Sequence, residues 1–344
     1  MLKNIKRYNK NIEKAIMNND NFEELKNKSI LITGANGLIA SCIVDILNWL
    51  NVNRNYNIEI KALVRNKAHL LERFKEYNNF EVIEQDVVDE IKYNKNIDYI
   101  IHAASNSHPK SFSEDPVGTM LGNFIGMKNI LDFAVNNNCK RVEYISSGEI
   151  YGQAIENINA FDENYSGKID PTSARSCYPI SKLASETLCV SYSQQYKVET
   201  VISRPCHCYG PTQTENDSRA SAQFIRNVLN NSDIIMKSKG KQIRSYCYVV
   251  DCAIGILTIL TKGQNSNAYN IANNNSILSI REMAEIIAQE SNKKVIIELP
   301  SNNEKKGYNP VTKSVLNGDK LEKIGWVPCW NAKEGILETL EIMK

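Results

Sequence analysis

Tyr178 and Lys182 lie one helical turn apart, and together they could exchange a proton with a hydroxyl or a carbonyl. On a helix, positions i and i+4 share a face, so the phenol and the ammonium enter the same space. A cation that close favours phenolate and draws the tyrosine from its free pKa of about 10 towards neutrality. A tyrosine so tuned can serve as an acid/base. The spacing is common among surface pairs, so its meaning depends on what surrounds it. Upstream, the stretch Ser146-Ser147-Gly148-Glu149-Ile150-Tyr151-Gly152 follows a short apolar run over 141–146. Ser147 can donate to a substrate oxygen and steer it towards Tyr178. Glu149 can move a proton or orient a water, or it can be a plain loop carboxylate at a sheet edge.

Such side chains need a scaffold that brings them together. Ser29–Thr33 is a short apolar run that stops at Gly34-Ala35-Asn36-Gly37, and a helical pattern follows over 38–50. This order predicts a buried strand, a glycine turn and a helix start, which set backbone N–H groups and the positive helix end against a pyrophosphate. Gly34 allows the tight turn and Gly37 the close approach, and Ala40 is the third small residue where helix meets strand. A second strand over 58–64 leads to Arg65. An acidic residue there would accept the ribose hydroxyls of NAD, whereas arginine pairs with the 2′-phosphate of NADP. NADP(H) is therefore favoured and NAD(H) stays open. A third strand, Phe80–Glu84, leads to Asp86, which could accept from the adenine amino group. The fourth, over 98–102, ends in Ala103-Ala104-Ser105, small enough for a nicotinamide ribose to lie against the backbone. A long helical pattern, Pro116–Asn136, then crosses to the strand before Ser147. Strands alternating with helices predict an α/β fold with a doubly wound parallel sheet, the Ser147 turn facing the crevice at its carboxyl end.

Composition narrows the partners. The 344 residues carry 41 basic and 39 acidic side chains, a net charge of +2, so no global field calls for nucleic acid or an anionic membrane. There is no run of about 18 apolar residues, and the first residues lack the apolar stretch of a signal peptide, so a soluble, cytoplasmic protein is expected. Nine cysteines, an odd number scattered through apolar segments, read as reduced thiols. Cys206-His207-Cys208 has the look of a metal tract, yet only Cys247 and Cys252 could supply a second ligand pair, so no metal is expected. Residues 1–28 are polar with a weak helical period at Ile5, Ile12, Ile16, Phe22 and Leu25, which predicts a short packed arm. A main domain over 29–203 and a second lobe over 204–344, with some chain returning to the main sheet, would follow. In that lobe a helix is expected at Ala220–Leu229, another from Asp251, and a third opened by the capping box Ser279-Ile280-Arg281-Glu282. A strand over 295–299 and a closing helix over 331–342 complete it.

Read together, the motifs resemble the extended short-chain dehydrogenase/reductase family, whose members modify nucleotide-linked sugars. The resemblance spans roughly residues 28–342. It is carried by Thr33-Gly34-x-x-Gly37-x-x-Ala40, His102-Ala103-Ala104, the turn from Ser147 to Tyr151-Gly152, and Tyr178-x-x-x-Lys182. It continues at Arg204-Pro205-x-x-x-Tyr209-Gly210-Pro211, Arg244-Ser245-Tyr246-x-Tyr248-Val249-x-Asp251 and Gly325-Trp326-x-Pro328. The resemblance implies a Rossmann-type doubly wound domain holding NAD(P) and a smaller mixed α/β carboxyl-terminal lobe closing over a nucleotide-diphosphate sugar. It implies Tyr178 as acid/base, Lys182 on the nicotinamide ribose, Ser147 on the reacting oxygen and Arg244 on the diphosphate. At the cofactor it adds Asn36, Leu38, Ile39, Val87 and Pro205 to Gly34, Gly37, Arg65, Asp86, Ala103 and Ala104. At the sugar nucleotide it adds Ser105, Arg175 and His207 to Ser147 and Glu149. A homodimer joined through two helices is common in that family, although no seam is readable here.

Three reactions share this machinery. NADPH-dependent reduction of a keto group on a nucleotide-linked sugar is favoured, narrowly, because Arg65 points to NADP. Internal-redox decarboxylation or 4,6-dehydration is favoured by Glu149, and Asp170-Pro171-x-x-x-Arg175-Ser176-Cys177-Tyr178 resembles the approach to the tyrosine in UDP-glucuronate decarboxylases. Gly148 stands where dTDP-glucose dehydratases carry an aspartate, which argues against dehydration. C4 epimerisation has no positive mark, and a scaffold that binds cofactor without catalysis sits badly with intact Ser147, Tyr178 and Lys182. At family level, surface-polysaccharide precursor synthesis is the implied setting.

Overall fold

The glycine turn and the alternating apolar runs build the expected α/β architecture in a computed structural model, which describes residues 2–19, 22–298 and 311–344. An N-terminal helix α1 (Ile5–Asn18) precedes β1 (Ser29–Thr33), α2 (Leu38–Arg54), β2 (Glu59–Val64), α3 (Lys67–Phe74), β3 (Phe80–Glu84) and β4 (Tyr99–His102). Then come α4 (Pro109–Glu114), α5 (Pro116–Asn136), β5 (Arg141–Ile145), α6 (Cys177–Tyr196) and β6 (Glu199–Pro205). The remaining chain forms β7 (His207–Tyr209), α7 (Ala220–Leu229), β8 (Ile234–Met236), β9 (Ile243–Tyr248), α8 (Val249–Lys262) and β10 (Asn267–Ile271). It closes with β11 (Ile277–Ser279), α9 (Ile280–Gln289), β12 (Val295–Ile297), β13 (Lys313–Ser314), α10 (Asp319–Glu322) and α11 (Ala332–Met343).

Seven parallel strands in the order β10-β6-β5-β4-β1-β2-β3 make the main sheet. The order runs outward from β1 in both directions, so helices cover both faces. This is why β1 is buried at every position and reads as one continuous apolar run. One apolar core gathers α1, α2 and α8, and a second lies under α5 and α6. The smaller lobe holds a mixed sheet, in which β9 pairs with β11 antiparallel and with β7 and β13 in parallel, and a two-stranded β8–β12 ribbon. From within the later chain, β10 returns to the edge of the main sheet beside β6.

Local chemistry explains most element ends. α2 runs one turn past the periodic stretch because Asn55 takes the left-handed conformation, φ 53°, and closes the helix. The Ser279/Glu282 capping box forms as read, and Asn331 with Glu334 forms a second at α11. α8 starts at Val249, two residues before Asp251, and β12 ends at Ile297. The expected end of that strand at Leu299 lies outside the described residues. The arm is a buried amphipathic helix, with Tyr8, Ile12, Ala15 and Ile16 packed inside. Among the described residues no helix is long and apolar enough to cross a membrane, and no cluster of His, Cys, Asp or Glu is placed to hold a metal.

Candidate active site

The carboxyl ends of β1, β2, β4, β5 and β6 open onto one cleft of about 910 Å³. At its β1 end the chain reverses on Gly34, with φ at +67° and its N–H donated to Leu63 O at 3.0 Å. A Cβ there would meet Ala104 Cα at 2.8 Å, so only glycine lets these two loops approach. Gly37 begins α2 without a side-chain cap, which leaves first-turn N–H groups for an anion. Burial and the Lys182 charge hold His102 down at a pKa of about 3, so its ring is neutral. Thr33 Oγ1 accepts the N–H groups of Ala103 and Ala104 at 3.1 Å each and is hydrogen-bonded with His102 Nδ1 at 2.8 Å, which ties the β1 and β4 ends together.

This cradle fits a dinucleotide. Gly34, Asn36, Gly37, Leu38 and Ile39 line it after β1, Arg65, Asp86 and Val87 after β2 and β3, and Ala103, Ala104, Tyr178, Lys182 and Pro205 further along. The Arg65 side chain is 70% exposed and stands 4.0 Å from Asp86.

Tyr178 and Lys182 project from the first turns of α6, beside the end of β5. Lys182 Nζ donates to Ile145 O at 2.8 Å, just before Ser147, and lies 5.7 Å from the Tyr178 ring centre. Ser147 caps a short turn over 148–151, its Oγ accepting the Glu149 N–H at 3.1 Å. Behind them Arg204 donates to Glu186 at 2.6 Å and to the Tyr151 hydroxyl at 2.9 Å, and Ser146 donates to Glu186 at 2.5 Å. This buried knot fastens α6, β6 and the Ser147 turn to one another and gives Arg204 of the Arg204-Pro205 motif its structural work.

The expected tuning of Tyr178 towards neutrality by Lys182 is opposed by burial in this fold. Tyr178 is held well above the usual tyrosine range, first by burial and then by the Glu149 charge, against which a Ser147 hydrogen bond and the charges of Arg219 and Arg175 pull downward. Burial also pushes Lys182 down to about 7, so much of its charge is gone near neutral pH. The pair shares a helix face as expected, and one of the Lys182 donors is taken by the Ile145 carbonyl, which leaves others for a ligand.

The substrate-side candidates divide. Ser105, Ser147, Glu149 and His207 line the cleft. Ser105 gives its hydroxyl proton to Asn123 Oδ1 at 2.7 Å. Burial and the charges of Arg244 and Arg219 hold His207 down at about 3, leaving a neutral ring. Arg175 stands behind the wall and pairs with Glu149 at 3.0 Å. Arg244 does not line the cleft: 3% exposed, its guanidinium donates to Ile243 O at 3.0 Å and Val311 O at 2.5 Å. The motif places Arg244 on β9, but the side chain is drawn to carbonyls beside it. Arg219, Asp217 and His108 are among the other residues that line the cleft. Arg219 donates to Asp217 at 3.0 Å and to Cys208 O at 3.2 Å, and His108 Nδ1 lies 3.5 Å from Asp217. No spacing marks them, because His108 and Asp217 come from loops far apart in sequence.

A model described as the NAD dependent epimerase/dehydratase family matches residues 30–272. UDP-glucuronic acid decarboxylase 5 of Arabidopsis thaliana is 29% identical over 90% of this chain and 87% of its own. Among solved structures, UDP-glucose 4-epimerase of Thermotoga maritima, solved with UDP-glucose, shares the fold at a TM-score of 0.78, with 21% identity over 91% of this chain and 98% of its own. A dTDP-glucose 4,6-dehydratase double mutant from Streptomyces venezuelae with NAD bound does so at 0.76, with 22% identity over 91% of this chain and 95% of its own.

Proposed function

Because this chain belongs to the NAD dependent epimerase/dehydratase family, we propose that it binds NAD and a nucleotide-diphosphate uronate and releases carbon dioxide to leave a nucleotide-linked pentose. The observation that carries this reading is the Glu149–Arg175 pair, 3.0 Å apart beside Tyr178, in a chain similar along most of its length to UDP-glucuronic acid decarboxylases. The nicotinamide, when bound, accepts a hydride and later returns it.

The chain's own residues do the rest. Ser147 would hold the C4 oxygen and Tyr178 would take its proton as C4 becomes a ketone. A ketone there makes the sugar acid a β-keto acid, which loses carbon dioxide and leaves an enolate. The Glu149–Arg175 pair would steer a proton to the carbon that lost the carboxyl group, and Tyr178 would return its proton when C4 is reduced. Gly148 fits this chemistry better than dehydration. A Cβ at Gly148 would already lie 2.9 Å from a Leu316 methyl, so an aspartate for a leaving hydroxyl has no room unless Leu316 moves. The cofactor reading shifts with the reaction: a hydride that is returned suits NAD, while exposed Arg65 keeps net reduction by NADPH as a second reading. A homodimer built on α5 and α6 is the proposed assembly.

The test is redox bookkeeping. With UDP-glucuronate and catalytic NAD, carbon dioxide and a UDP-pentose should form without net NADH. Steady NADPH consumption on a keto-sugar nucleotide, with no carbon dioxide from the uronate, would sink the decarboxylase in favour of the reductase.

A further inference from the structure

We propose that Cys208 and Cys247 form a thiol modification site: a peroxide reaching the cleft converts the pair to a disulfide, and a thiol reductant restores it. The site is independent of the reaction proposed above; its effect on turnover rests on that reading.

The Cys206-His207-Cys208 stretch brings two thiols to the cleft wall. Cys206 and Cys208 line the cleft, and with Cys247 and Cys252 they belong to the apolar core behind it. The Cys208 thiol has those of Cys206, Cys247 and Cys252 as neighbours. β7 and β9 run in parallel with Cys208 directly opposite Cys247. Side chains so paired leave the sheet on one face, and their Cα atoms are one strand spacing apart, about 4.7–4.9 Å. That lies inside the range of about 4.4–6.8 Å that a disulfide spans. Among the described residues no other cysteine lies in a strand, so no second pair is set face to face in this way.

Cys208 is the thiol that meets the oxidant. The thiols of Cys206, Cys247 and Cys252 and the Arg219 charge favour its thiolate, against burial, and the thiolate is the nucleophile. Its sulfur attacks one peroxide oxygen, the O–O bond breaks, and the departing hydroxide takes a proton to become water, which leaves a sulfenic acid. Cys247 then gives up its proton and attacks the Cys208 sulfur, the S–O bond breaks, and a second water leaves. Two thiols have lost two electrons and the peroxide has gained them. Closing the S–S bond to about 2 Å draws the two strands together. β7 gives way, because it has three residues and, among the described strands, pairs with β9 alone, while β9 is also held by β11 and β13. His207 on β7 lines the cleft, and Cys208 O accepts from Arg219 Nη1 at 3.2 Å, so the disulfide disturbs two residues on the substrate side.

Peptide mapping after treatment with hydrogen peroxide reads the site directly. With the remaining free thiols alkylated on unfolding, wild type should yield a linked Cys208–Cys247 peptide, two hydrogens lighter than its parts, that dithiothreitol removes. Turnover of UDP-glucuronate by the treated enzyme should fall by about tenfold or more and return with dithiothreitol, as a displaced cleft wall would cause. Cys247→Ala and Cys247→Ser should show no loss that dithiothreitol reverses, each judged against its own untreated activity. Treated wild type, still folded by circular dichroism, in which Cys208 and Cys247 remain alkylatable or the link joins Cys206 instead would overturn the site. Should untreated enzyme yield no carbon dioxide from UDP-glucuronate, the decarboxylase reading fails while the peptide map still judges the cysteine pair.

Discussion

At the scale of single residues, Arg65 carries the undecided chemistry of the cofactor end. Its guanidinium is largely in solvent and its nearest acidic partner, Asp86, is at 4.0 Å, which leaves it free to grip a phosphate. A charge-assisted fork on a 2′-phosphate discriminates strongly, whereas a solvated arginine beside a ribose does not. Arg65→Ala should weaken NADP+ binding by about tenfold or more and change NAD+ binding by less than about twofold, read by calorimetric titration of both. Equal losses would remove Arg65 as the discriminator. What was legible at this scale was what is local: Tyr178 and Lys182 share one helix face, and Ser147 and Glu149 share one turn. The state of those groups was not legible. It depends on Phe112, on Ile145 O and on Arg175, which reach the site through the fold, and burial outweighs the nearby cation. Arg244 is the same case, since a motif fixes its strand and not the direction of its guanidinium.

At the scale of elements, the glycine turn, the parallel strands and α5 follow the patterns that predict them, because each depends on contiguous residues. The exposed face of α5 was hidden by the same patterns. Met127, Ile130 and Leu131 face the core, while Val117, Met120, Leu121 and Phe124 stand in solvent at i, i+3, i+4 and i+7. A helix apolar all round shows no seam until burial separates the faces. On the neighbouring α6, Val190 and Tyr196 are exposed as well. A stripe of this size is what an interface between copies would cover. Wild type is expected to sediment as a dimer and Phe124→Asp as a monomer. A wild type that is monomeric at micromolar concentration would count against the interface.

At the scale of the whole molecule, the arm is the part whose purpose no local pattern could reveal, because its partners lie far along the chain. α1 precedes the stretch matched by the family model, which starts at Ile30. The Tyr8 hydroxyl donates to Asp45 on α2 at 2.8 Å, a carboxylate also held by Arg73 at 2.6 Å and Tyr77 at 2.8 Å. From the same helix, Asn11 donates to the Tyr248 hydroxyl at 3.1 Å and to Glu338 at 3.0 Å, and Lys14 lies 4.5 Å over the Trp330 ring. The arm thus fastens a helix of the main sheet to the end of β9 and to α11. The Arg7–Glu338 pair is partly in water and should contribute little. Asn11 matters more, because Tyr248 is buried and would keep an unpartnered hydroxyl. Asn11→Leu should therefore cost about 1–3 kcal/mol in a urea titration. NAD+ affinity should stay at the wild-type value, since no residue of α1 lines the cleft. Unchanged stability would mean that α1 only covers the surface it lies on, and a parallel loss of NAD+ affinity would mean that its hold on α2 reaches the cofactor turn.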